Sequence, residues 1–122
     1  MEITYTERDS HNILQIAGAM DAIGVHEAGD TFSAAAADSH SDLIVDLKNV
    51  SFMDPSGLGL LVAALKRSRA AGRDIRIENA SGQPLNLLSS LNLEKVFSIQ
   101  ATPSISAAAS RAATWSIDRK AA

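Results

Sequence analysis

The sequence contains no cysteine. That removes a disulfide framework, a thiolate zinc site and a thiol nucleophile together, and it fits a reducing compartment. A long apolar run is missing as well. The longest nearly uncharged apolar run, Gly57 to Leu65, is far below the ~20 residues that a membrane-spanning helix needs. Met1-Glu2-Ile3-Thr4-Tyr5 is neither basic nor apolar enough to resemble a targeting signal. A soluble, cytoplasmic protein with no membrane contact is expected, and the sequons at Asn49 and Asn79 are then chance matches. Positive charge is not in excess either. The net charge of −3 argues against general nucleic-acid binding.

Catalytic motifs are absent in the same way. Of the three histidines, His11 falls in a polar turn and His40 in a polar stretch. His26-Glu27 begins like a metalloprotease helix, but the residue four after His26 is Asp30, so the H-E-x-x-H spacing fails. No G-x-S-x-G elbow mounts a serine nucleophile. Gly57-Leu58-Gly59 opens like a dinucleotide fingerprint, yet Val62 stands where the third glycine belongs. The phosphate loop G-x-x-x-x-G-K-[ST] does not occur. No metal, no cofactor and no enzymatic activity are expected.

What is present suits one ordinary domain. The chain has 122 residues, of which 46% are hydrophobic, enough for a single core. Charge is segregated along it. Residues 1–54 carry ten acidic and two basic residues, and residues 55–122 carry nine basic and four acidic, balances of −8 and +5. Two solvated faces account for this without a special partner.

Ile3-Thr4-Tyr5-Thr6 and Asn12-Ile13-Leu14-Gln15-Ile16-Ala17 flank the polar turn Arg8-Asp9-Ser10-His11 and read as a β-hairpin ended by Gly18. Ile23, Val25, Ala28, Phe32 and Ala35-Ala36 recur at roughly helical spacing behind Asp21 as N-cap, with Gly24 and Gly29 weakening the pattern. Leu43-Ile44-Val45-Asp46-Leu47 reads as a central parallel strand, with Asn49 to Met53 leading out of it. Asp54 and Pro55 then open a strong helix as N-cap and first helical residue. Its buried stripe is Leu58, Leu61, Val62 and Leu65. Lys66, Arg67 and Arg69 gather at its C-terminal end and Gly72 caps it. Asp74 to Glu78 alternates as a strand, Pro84 opens a short helix through Leu91, and Val96 to Ile99 reads as a last strand. Pro103 starts a terminal helix through Ala112, and Trp115 either anchors an interface or packs that helix down. The order ββαβαβαβα implies an α/β fold with a largely parallel sheet and right-handed crossovers. Residues 1–113 are expected to form the domain and 114–122 a loosely held tail.

Asp54-Pro55-Ser56-Gly57-Leu58-Gly59 combines a capping acid, a hydroxyl in the first helical turn and two glycines. First-turn N–H groups and the helix dipole tolerate negative charge, a phosphate on serine included. Glycines let another backbone approach closely. A partner-facing turn and a plain capping turn with close helix–sheet packing are equally consistent with these residues.

The run Leu43 to Gly59 resembles the signature of STAS domains of the anti-sigma factor antagonist type. Gly18-Ala19-Met20-Asp21 is similar to that family's G-x-[LI]-D loop, Ala71-Gly72-Arg73 to its helix-to-strand turn, and Leu85 to Leu93 with Val96-Phe97 to its third helix and the step after it. The resemblance runs from about Ile3 to Ser110. It implies a mixed sheet of four to five strands with helices against one face. It also implies bacterial partner switching, in which the antagonist binds a serine-kinase-type anti-sigma factor (an ATPase), is released by phosphorylation at the start of the second helix, and is restored by a phosphatase. By the same resemblance Asp21, Asp54, Pro55, Ser56, Gly57 and Leu58 form the partner-binding surface. The hydroxyl directly after the aspartate, the usual acceptor, is here Pro55. Three readings stay open: Ser56 takes the phosphate one residue later, or the protein is an unphosphorylated antagonist or scaffold, or it is a STAS domain with some other partner. A subunit of a larger sensory or transport-associated assembly is the alternative role. A monomer is expected when free, and Asp54→Lys is expected to weaken partner binding with the fold retained.

Overall fold

Apolar residues two apart set the core face of the first two strands. In β1 (Glu2–Glu7) Ile3 and Tyr5 are buried, and they lie opposite Ile16 and Leu14 of β2 (Asn12–Met20) in antiparallel register. The structure, a computed structural model, describes residues 1–7, 11–37, 41–100 and 114–117. The chain continues through α1 (Ala22–Ala37), β3 (Leu43–Met53), α2 (Pro55–Ala70), β4 (Ile75–Glu78) and α3 (Gly82–Ser90). A single 3₁₀ turn (Leu93–Lys95), β5 (Ser98–Gln100) and β6 (Thr114–Ile117) follow.

The sheet has the order β5-β4-β3-β2-β1-β6. β2, β3, β4 and β5 run parallel, while β1 pairs antiparallel with β2 and β6. Each βαβ crossover moves one strand further in the same direction. Right-handed crossovers that all step the same way put their helices on one face. That face holds the core: Ile3, Leu14, Ile16, Val45, Leu47 and Ile77 from the sheet meet Phe32, Leu61, Leu65 and Leu88 from the helices. The expected α/β mixed sheet with helices against one face is therefore the observed one, with six strands in place of four or five.

Several boundaries differ from the sequence reading. Gly18 does not end β2. It sits at φ +93° beside a register shift, so the strand passes through a bulge and continues to Met20. Leu43–Leu47 and the stretch thought to lead out of it are one strand of 11 residues. α3 begins at Gly82, two residues before Pro84. Ile23, counted in the apolar stripe of α1, is exposed, because the helix buries Gly24, Ala28, Gly29, Phe32, Ala35 and Ala36 instead. Thr114–Ile117, expected in the loose tail, pairs with β1. The β-branched and aromatic residues of Thr-Trp-Ser-Ile suit a strand, and β1 offers an unpaired edge. Trp115 thus lies on a strand, opposite Tyr5. The expected terminal helix from Pro103 to Ala112 lies outside the described residues.

Leu61 is fully buried between α2 and the sheet. Leu61→Ala should lower the unfolding free energy by about 2–5 kcal/mol. Urea denaturation followed by circular dichroism measures this, and an unchanged midpoint would contradict the packing described.

Candidate functional site

Parallel strands joined by helices gather their C-terminal ends and the helix N-termini at one end of the sheet. Here the last residues of β2 and β3, Met20 and Met53, are register partners. The next residues, Asp21 and Asp54, therefore start α1 and α2 side by side.

Asp21 Oδ1 accepts a hydrogen bond from Gly24 N at 2.8 Å, the bond an N-cap makes to its third helical residue. Asp54 does more. Its Oδ1 accepts from Ser56 N (2.8 Å) and Gly57 N (3.1 Å) in α2, and its Oδ2 accepts from Ala22 N (3.2 Å), the first residue of α1. One carboxylate thus caps two helices. Its own N–H donates to Met20 O at 3.2 Å, which ties the turn to β2. Pro55 occupies the first helical position of α2, where a missing N–H costs nothing.

Close approach of helix and strand explains the glycines at this end. A Cβ on Gly57 would lie 2.3 Å from Met20 O, and one on Gly24 would lie 2.6 Å from Ala19 O. Gly57 is therefore needed for internal packing. Gly59 differs, since a Cβ there meets nothing within 4 Å.

The six residues assigned to the partner surface separate into three groups. Asp21 and Asp54 are half-buried with their carboxylates engaged in capping. Pro55 and Ser56 are exposed. Gly57 and Leu58 are buried and give the turn its shape. Leu58 points inward because it starts the helix stripe that continues through Leu61 and Leu65.

Two large apolar side chains flank this end and were missed by the sequence reading. Ile23 is 71% exposed and Phe52 44% exposed. Ile23 lies in the first turn of α1, and Phe52 precedes the cap by two residues opposite Ala19. Asp21, Ile23, Gly24 and Glu27 also line a shallow groove together with Met1. The signal for Phe52 was an aromatic at the polar end of a long strand. For Ile23 no pattern distinguished it from the helix stripe. Gln83 reaches this end too, with its side-chain amide on the Met53 backbone.

No group of three or more histidine, aspartate and glutamate side chains is assembled for a metal among the described residues, and none of the described helices is long and apolar enough to cross a membrane.

The model of the STAS domain matches residues 2–106. The chain belongs to the STAS domain family. The anti-sigma-B factor antagonist of Bacillus subtilis (strain 168) is 29% identical over 103 residues, spanning 83% of this chain and 94% of the relative. The anti-sigma-B factor antagonist of Staphylococcus aureus (strain NCTC 8325 / PS 47) is 31% identical over 81 residues, 66% of this chain and 75% of the relative. Among solved structures, an anti-sigma factor antagonist from Mycobacterium paratuberculosis has a TM-score of 0.73 at 20% identity, covering 84% of this chain and 87% of that one. The anti-sigma factor antagonist SpoIIAA in its unphosphorylated form has a TM-score of 0.67 at 20% identity, covering 82% and 88%. At such identities these two show a shared fold.

The capping geometry revises one expectation for this STAS domain. Asp54→Lys is not a clean probe of binding, because it removes the acceptor of three backbone N–H groups at the start of two helices. Asp54→Ala should cost about 1–2 kcal/mol of stability, the usual loss for a removed cap, and the second helix should push it to the upper end. Thermal and urea unfolding measure that loss. The glycines give a paired test. Gly57→Ala should destabilise by roughly 1–3 kcal/mol through the clash with Met20, whereas Gly59→Ala should stabilise by about 0.5–1 kcal/mol. Equal effects from the two would contradict the packing at Met20.

Proposed function

We propose that this chain is an anti-sigma factor antagonist that docks a serine-kinase-type anti-sigma factor in the cytoplasm, using the surface around the paired N-termini of α1 and α2. The similarity to anti-sigma-B factor antagonists supports the role. The observation that carries the reading is the double cap. Asp54 fixes two helix starts against each other and leaves Pro55 and Ser56 exposed at the junction, with Ile23 and Phe52 exposed beside them. Apolar side chains rimmed by acidic groups form a surface that a partner covers with complementary apolar and basic residues.

Pro55 has no hydroxyl to receive a phosphate at the position directly after the aspartate. Ser56 is exposed, but its own N–H and that of Gly57 already bond the Asp54 carboxylate. A phosphate on Ser56 would meet that anion rather than free N–H donors, which disfavours the modified state. The protein therefore acts as an antagonist that phosphorylation does not release, with its proline-stiffened turn as a fixed docking surface. A phosphatase then has no substrate here.

Purification of the tagged protein from its native cells tests this. A serine-kinase-type ATPase should co-purify, and the Ser56 peptide should stay unmodified by mass spectrometry after incubation with that kinase and ATP. Ile23→Asp and Phe52→Asp should each weaken the complex by at least about tenfold, the loss of one good apolar contact, with little change in melting temperature. Phosphate on Ser56 would show that the acceptor has moved by one residue. Absence of any such kinase would remove the antagonist reading and favour a subunit of a larger assembly.

A further inference from the structure

The outer edge of β3 changes partner along its length. β4 pairs with it only as far as Asp46, which lies opposite Glu78. Beyond that point β2 continues on the inner side up to Met53, while among the described residues no strand is paired on the other side. Met53 is fully buried and its N–H and carbonyl must be satisfied there. Gln83 does both. Its Oε1 accepts from Met53 N at 2.8 Å and its Nε2 donates to Met53 O at 2.6 Å. A single carboxamide reproduces the donor–acceptor pair that a neighbouring strand would supply.

The local chain is bent to bring it there. Asn79 at φ 61° and Gly82 at φ 57° turn the backbone after β4, and Asn79 Nδ2 donates to Asp46 Oδ1 at 3.1 Å, anchoring the turn on β3. Gln83 then stands in the first turn of α3. Met53 is the residue before Asp54. Fixing both polar groups of Met53 fixes the peptide from which the Asp54 carboxylate reaches Ser56, Gly57 and Ala22.

We propose that Gln83 is the positioning residue of the docking turn, holding Met53 so that Asp54 caps α1 and α2 together. The starting turn of α3 is thereby coupled to a surface it does not form. Only a group with a donor and an acceptor on one planar unit serves. A glutamate carboxylate would keep the bond to Met53 N and set an anion against Met53 O. The consequence for partner docking rests on the function proposed above, and the positioning itself does not.

Amide hydrogen exchange of the whole chain, followed by NMR, tests the proposal. In Gln83→Ala the amides of Ser56, Gly57 and Ala22, which bond Asp54 and not Gln83, should exchange about tenfold faster, the effect of losing one well-made hydrogen bond. Ile3 and Leu14 in the β1–β2 hairpin should keep their protection. Gln83→Glu should match Gln83→Ala at about pH 7. At about pH 4, where the carboxyl starts to protonate and regains a donor, its protection relative to the unaltered protein at the same pH should recover in part. Acceleration confined to Met53, or the same loss spread over the hairpin, would overturn the proposal. So would a Gln83→Glu protein that shows no recovery on acidification. The exchange readout needs no partner, so it decides the role of Gln83 whether or not the turn docks an anti-sigma factor.

Discussion

The carboxylate of Asp54 is shared between two helices. One oxygen takes the first-turn N–H groups of α2 and the other takes the first N–H of α1. Helix N-termini carry unpaired donors and partial positive charge, and two of them placed together repel unless an anion lies between them. Asp54 is that anion. Its position depends in turn on Met53, whose backbone is held by Gln83, and on Met20, whose carbonyl takes the Asp54 N–H. The helices can then approach the strand ends closely enough that Gly24 and Gly57 have no room for a side chain.

This arrangement follows from the topology. β2 and β3 are parallel neighbours, so the helices that follow them begin at the same end and on the same face. Any residue just after either strand is carried to that junction. A fold of this kind gathers its helix starts on one surface. In this chain the junction carries Pro55 directly after the aspartate, and a cap already saturated by backbone donors.

Much of this was legible in the sequence. Asp54-Pro55 announces a helix start by its chemistry, and Asp21 does so by position. The stripe Leu58, Leu61 and Leu65 marked the inward face of α2, and two β-rich runs around a polar turn marked the pairing of β1 with β2. Other features were hidden because they depend on residues far apart. Nothing near Asp54 shows that Ala22 donates to it, since the two are 32 positions apart. Gln83 reads as one more polar residue at a helix start, and only the end of β4 at Glu78 creates the need it fills. Ile23 fell into a plausible helical period, but the glycine-lined approach to β2 rotates the buried face onto Gly24 and Ala28. For Gly57 the sequence left a partner's approach and close helix–sheet packing equally open, and it is Met20 that fills the space.

β6 lies along the outer side of β1, so the first strand of the chain becomes an interior strand of the sheet. Without Thr114–Ile117 in place, β1 would keep one row of N–H and carbonyl groups open, and an open strand edge recruits other strands. Thr114–Ile117 thus acts as a guard on that edge, and a chain cleaved ahead of Thr114 should self-associate through β1.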